Sequence, residues 1–313
     1  MGEKAMAIRT FEELIQLAQT RGPKHVVLVA ADQWEALEAA ALAYQRGLAE
    51  FTLFGDVERI ETLLAEGKFD LGFPEIIHEP SQRRAAERAV EMARNGLADI
   101  IMNARAQPRH LVRVADDPVS GLRNGECVMS DVAVFEIPNF DRLIFVTDIL
   151  VCTAPDLQAK ACLVQNAINV ARALGVERPR VAILSATEAV NPKIPISIDA
   201  ANLSKMAQRG QIVGGIVDGP LALDNAISEV AATIKGIESD VAGRADILVA
   251  PDIEAGNLLA KAITYFAGGQ MASVIVGGRC PIVMPSRSDP PDAKLASLAL
   301  GVYLSGTSYE PVK

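Results

Sequence analysis

The chain has 313 residues, half of them hydrophobic and 4% aromatic, with 39 acidic and 30 basic side chains and a net charge of −9. That length suits two domains, with cores filled by small aliphatic residues. The acidic balance argues against duplex nucleic acid as a partner, because neutralising phosphates needs a basic face; a small anion held by a local Arg cluster or a helix N-terminus is still allowed.

The opening residues Met1 to Met6 contain no apolar signal segment, and position 6 lacks the Ser or Thr of a myristoylation signal. The longest apolar stretch, near Leu143 to Thr153, is interrupted by Asp148 and is too short to span a membrane. The expectation is a cytoplasmic protein with no membrane partner. The four cysteines contain no CxxC pair.

His25 to Ala31 predicts a buried strand. A helix follows over 33–47, with Asp32 as N-cap and Gly47 at its end. Phe51 to Phe54 is a second strand, Ser81 opens a helix that Gly96 closes, and Asp99 to Asn103 is a third strand. Cys127 to Ile137 and Arg142 to Thr147 flank a short polar turn and predict an antiparallel hairpin. The long helix from about Asp156 to Leu174 carries one apolar stripe through Leu157, Ala161, Val164, Ile168 and Ala171. Strands are then expected at 180–184, 212–217, 246–250, 272–276 and 282–284, with helices at 199–208, 221–234, 254–266 and 292–304. Such alternation predicts an α/β fold with helix-covered, mostly parallel sheets.

The late strands end in polar loops: Ser185-Ala186-Thr187, Asp218-Gly219-Pro220, Pro251-Asp252 and Ser286-Arg287. Any one of these loops reads more simply as a helix cap, but ligands gather at such carboxyl ends, and four loops together point to a shared cleft. There is no GxxxxGK(S/T) and no GxGxxG after a strand. His25, His78 and His110 are too scattered to ligate a metal, and no metal site is expected. The run from Pro285 to Asp292 stands out. An Arg fork and a Ser hydroxyl at a strand end can hold a phosphate, with Asp292 near as a base; a plain helix N-terminus favoured by Asp289 or Asp292 reads the same spacing.

Several segments resemble the phosphate acetyl/butyryltransferases, most closely the butyryl branch. They are DILVAPDIEAGNLLAK from Asp246 to Lys261, DGPLALDNA from Asp218 to Ala226, PIVMPSR from Pro281 to Arg287 and PRVAILS from Pro179 to Ser185. The likeness covers most of Gly121 to Val302, with the motifs in family order. It implies a two-lobed isocitrate/isopropylmalate dehydrogenase-like fold, with residues 1–125 and 275–313 as one lobe and 126–274 as a second lobe with the dimer contact. It implies acyl-CoA + phosphate ⇌ acyl phosphate + CoA without a covalent acyl-enzyme, and no cofactor beyond coenzyme A as substrate. Asp292 becomes the general base, with Asp289 as rival. Arg287 holds the phosphate and Ser286 the thiol or oxyanion, while Gly256, Asn257, Asp218, Asn103 and Ser185 line the substrate site. A homodimer or higher homo-oligomer is the implied assembly.

The chain departs from the family at Met102-Asn103-Ala104-Arg105-Ala106-Gln107-Pro108, where the butyryl branch has Met-Lys-Gly and a Thr four residues after the Gly. Asp131 replaces a His, and Arg105 and Arg109 offer compensating charge. This loop motivates a second reading: an altered paralogue that binds CoA esters or acyl phosphate as a sensor or complex subunit.

Overall fold

The computed structural model describes residues 7–104, 108–123, 125–138, 140–286, 288–307 and 310–312, without the side chains of 108 and 109. The chain begins α1 (Phe11–Gln19), β1 (Lys24–Val29), α2 (Trp34–Gln45), β2 (Ala49–Gly55), α3 (Val57–Gly67), β3 (Glu75–His78), α4 (Gln82–Arg94), β4 (Ile100–Asn103) and α5 (Pro108–Ala115). It continues through β5 (Ser130–Glu136), β6 (Ile144–Thr147), α6 (Leu157–Ala173), β7 (Arg180–Leu184), α7 (Pro195–Gln208) and β8 (Ile216–Leu221). Then come α8 (Leu223–Ile227), α9 (Glu229–Ile234), β9 (Ile247–Val249) and α10 (Ile253–Phe266). It closes with β10 (Gln270–Val276), β11 (Ile282–Val283) and α11 (Pro291–Leu304).

Two compact units result: a split unit of residues 11–129 and 271–307, and a middle unit of 130–270 joined by the chain's flanking segments. In the split unit the strand order is β3-β2-β1-β4-β11-β10, all parallel except the β10–β11 pair. From Val26 to Val29 β1 is apolar and buried on both faces, and β4 is buried throughout and apolar up to Met102, as central parallel strands must be. α11 packs against α1 and α2, so the end of the chain completes the core its beginning opened.

In the middle unit the order is β5-β6-β9-β7-β8, with β5–β6 the antiparallel hairpin expected from the sequence. α6 starts where expected, the Asp156 carboxylate accepting from Ala159 N–H at 2.8 Å. It is buried all round from Lys160 to Ala171, not along a single stripe. Lys160 is accommodated there by the Pro155 carbonyl at 2.7 Å and the Asp199 carboxylate at 2.8 Å.

Three local expectations change. Asp32 does not cap α2; Gln33 holds the N-cap position, with no side-chain bond. The expected helix over 221–234 is two short helices, because Ser228 leaves helical geometry and caps the second through Ala231 N–H. Asp218-Gly219-Pro220 is not a loop after a strand but part of β8 itself. As β8 ends the sheet order, Pro220 costs no ladder bond to a further strand, and the β7–β8 register shifts between Ala182 and Leu184. Among the described residues no helix is long and apolar enough to cross a membrane.

Candidate active site

In the split unit three parallel strands end side by side. Val29 pairs with Asn103 and Val283 with Met102, so the chain leaves β1, β4 and β11 in the same direction. After β1 the chain builds β2 and β3 on one side, then returns to place β4 on the other. Such a reversal opens a crevice, because the connections on its two sides diverge. A cavity of about 150 Å³ lies there, lined by Gln33 and Glu35 after β1, Asn103 at the end of β4 and Ala104 just past it, Pro285 and Ser286 after β11, and Lys294 of α11.

The β11–α11 connection is a closed turn. Ser286 N–H donates to Asp289 Oδ2 at 2.7 Å, and Asp289 N–H donates back to the Ser286 carbonyl at 3.1 Å. The Ser286 and Ser288 hydroxyls lie 3.0 Å apart, and Lys294 Nζ donates to the Asp289 carbonyl. Arg287, the expected phosphate ligand, lies outside the described residues, as do Arg105 and Gln107. Asp292, the expected base, is exposed on the first turn of α11 and is not among the cavity-lining residues. Helix geometry explains the contrast: residues two apart point about 200° from each other, so Asp292 and Lys294 cannot both face the cavity.

The remaining expected residues belong to the middle unit. Asp252 caps α10 by accepting from Ala255 N–H at 2.8 Å. Gly256 in the first turn is required by contact: a Cβ there would stand 2.2 Å from the Asp148 carbonyl oxygen. Asn257 Nδ2 donates to the Ile149 carbonyl at 3.3 Å. Ser185 Oγ accepts from Thr187 N–H at 3.4 Å just past β7. Asp218 accepts from Gly219 N–H at 2.8 Å and from the Ser239 hydroxyl, on a strand separated from β9 by β7.

Thus Asn103 and Ser286 share one cavity, and Gly256 and Asn257 share one helical turn beside residues 148 and 149. Asp148, absent from the sequence-based set, is buried and collects four backbone N–H donors, from Asp131, Leu150, Val151 and Cys152. Burial raises its pKa above the usual carboxylate value, and the four donors offset this only in part. Lys294 was also absent from that set. Nothing in the sequence marks it, because a lysine among apolar helical residues reads as a solvated flank until packing buries it. His25 is structural: its Nε2 lies 2.9 Å from the Thr52 hydroxyl. Among the described residues no group of three or more His, Cys, Asp or Glu side chains could hold a metal ion.

A family model described as "Phosphate acetyl/butaryl transferase" matches residues 73–302. The chain is 41% identical over 299 residues to a phosphate butyryltransferase from Clostridium acetobutylicum, covering 96% of this chain and 99% of that one. It is 42% identical over 294 residues to a phosphate acetyltransferase from Thermotoga maritima, covering 94% and 99%. Among solved structures, a branched-chain phosphotransacylase from Enterococcus faecalis is similar with a TM-score of 0.78 and 29% identity, covering 91% of this chain and all of that one.

Proposed function

Because the chain belongs to the phosphate acetyl/butyryltransferase family, we propose that its cavity at the ends of β1, β4 and β11 holds the phosphate side of the transfer between acyl-CoA and phosphate. The protein is an acyltransferase that interconverts acyl-CoA plus phosphate with acyl phosphate plus CoA. The observation that carries the site reading is that Ser286 and Asn103 line one cavity at a strand-order reversal.

Transfer is direct, in a ternary complex. A phosphate oxygen attacks the thioester carbonyl carbon, and the carbonyl electron pair moves onto its oxygen. That pair returns as the C–S bond breaks, releasing the CoA thiolate and leaving acyl phosphate. The Ser286 hydroxyl donates to the tetrahedral oxyanion or to the thiol, where a preorganised donor acts most strongly. Arg287 holds the phosphate as a fork. In the reverse direction a carboxylate accepts the CoA thiol proton as sulfur attacks; with Lys294 in the cavity wall and Asp292 turned away from it, Asp289, in the turn beside Ser286, takes that role ahead of Asp292. Asn103 supplies a further polar contact, and Gly256, Asn257, Ser185 and Asp218 serve the CoA ester.

A two-lobed isocitrate/isopropylmalate dehydrogenase-like arrangement is the fold reading we favour; the division into a split unit and a middle unit supports it. We further propose a cytoplasmic homo-oligomer. The exposed Val230, Ile234, Leu258, Tyr265 and Phe266 of α9 and α10 support a second copy as partner. The sensor reading has no support: relatives matched along nearly their whole length are named as transferases.

Purified protein is incubated with acetyl-, propionyl- or butyryl-CoA plus phosphate while free thiol is followed. Phosphate-dependent thiol release with at least one ester is the expected outcome, and release with none sinks the reading. Release that survives both Ser286→Ala and Arg287→Ala removes the site assignment.

A further inference from the structure

The split unit buries a charge that no described carboxylate balances. Lys294 is 4% exposed and lines the cavity beside Asn103 and Ser286. Its ammonium donates to the Asp289 carbonyl, and among the described residues no carboxylate forms an ion pair with it. Glu35 lines the same cavity but is exposed and is not such a partner.

Both features of this position are unfavourable. A buried ammonium loses its hydration, and a cation in the first turn of α11 stands at the positive end of the helix dipole. One carbonyl acceptor does not offset these costs for a group with three donors. An anion in the cavity would supply the missing charge, accept the remaining donors and meet the favourable end of α11. At about 150 Å³ the cavity is small beside the roughly 300–1,000 Å³ of sites that enclose drug-sized ligands. That size suits an inorganic anion and not a CoA ester.

We propose that Lys294 contacts the transferred phosphoryl group directly, holding inorganic phosphate in one direction and the phosphate of acyl phosphate in the other. The step at which it acts rests on the transferase reading; the anion site rests on burial and cavity size alone. Removing one charge-assisted contact to a substrate corresponds to about a 30-fold loss of affinity.

The test measures thermal protection by inorganic phosphate alongside KM for phosphate and for acyl-CoA, in the wild type, Lys294→Met and Lys294→Gln. In Lys294→Met, phosphate protection is expected to disappear, and KM for phosphate to rise about 30-fold while KM for acyl-CoA moves less than about threefold. Lys294→Gln keeps a donor for the Asp289 carbonyl without the charge. It is expected to behave the same way, and it serves if Lys294→Met does not fold. A folded variant protected by phosphate as well as the wild type, with an unchanged KM for phosphate, overturns the proposal. Wild type without thiol release would sink the transferase reading alone, because phosphate protection would still decide the role of Lys294.

Discussion

Lys160 and Lys294 occupy the same place in two helices of different units. Each is the fourth residue of its helix, each is buried, and each donates to a carbonyl five residues earlier in the chain. They differ in one neighbour. Lys160 also meets Asp199 at 2.8 Å, whereas Lys294 has no carboxylate partner among the described residues and borders a cavity. The local fold therefore solves the lysine's backbone contact identically twice and supplies a counter-charge once. A buried cation completed by its own protein belongs to the scaffold, and one left for an outside anion belongs to a site.

The largest effect that sharpens this contrast is expected at Ser286, which shares its turn with the carbonyl that Lys294 holds. Ser286→Ala should lower kcat by about 100- to 1,000-fold, the loss that follows removal of one donor to a developing oxyanion. Asp199→Ala, which strips Lys160 of its partner, should leave kcat within about threefold in the protein that remains folded, since Asp199 touches no cavity residue named here. Steady-state kinetics on both variants checks the pair. Equal losses at the two positions would mean that the two lysines do not divide into scaffold and site.

Much of this architecture was legible in the sequence. Ser81 announced α4 because a side-chain oxygen before a helical pattern satisfies free N–H groups, and it accepts from Arg84 N–H at 3.4 Å, whereas α6 was legible from its apolar spacing. The hairpin of β5 and β6 followed from two apolar runs around a short turn. The register of β8 did not, because Asp218-Gly219-Pro220 has loop composition and only an edge position makes it a strand. At the site, Ser286 and Asn103 could be read as strand-end residues. Lys294 could not, since a lysine beside an apolar stripe reads as a solvated flank until packing shows it buried. Asp148 was equally hidden: its role comes from four N–H groups that the chain folds onto it.

A middle-sized effect separates the lysines by stability. Lys160→Met leaves the Asp199 carboxylate, 26% exposed, without its ion pair. Breaking a pair in such a partly open place should cost about 2 kcal/mol of unfolding free energy, below the cost in a closed core. KM for phosphate should not change. Lys294→Met, which removes an uncompensated charge, should lose less stability than Lys160→Met in the same urea titration. The reverse order would indicate that Lys294 serves the fold more than the cavity.

The smallest effect concerns the backbone at the matching strand ends. β1 ends Leu28-Val29 and is followed by Ala30; β9 ends Leu248-Val249 and is followed by Ala250. Both alanines are buried, but Ala30 has φ 56 while Ala250 is not in the left-handed region. Ala30 stands three residues before Gln33 on the cavity wall, so strain, like unbalanced charge, collects on the split unit's side of the comparison. A left-handed alanine costs about 1–2 kcal/mol, which glycine avoids. Glycine forfeits about 0.5–1 kcal/mol in chain entropy and roughly 0.8 kcal/mol for the lost methyl. These terms nearly cancel for Ala30→Gly, whose stability should stay within about 0.5 kcal/mol of the wild type. At Ala250 only the losses apply, and Ala250→Gly should cost about 1.5 kcal/mol. Urea midpoints for the two variants give the difference directly. Equal costs would mean that the backbone after β1 is no more strained than its counterpart after β9, and the asymmetry between the units would then reside in the lysines alone.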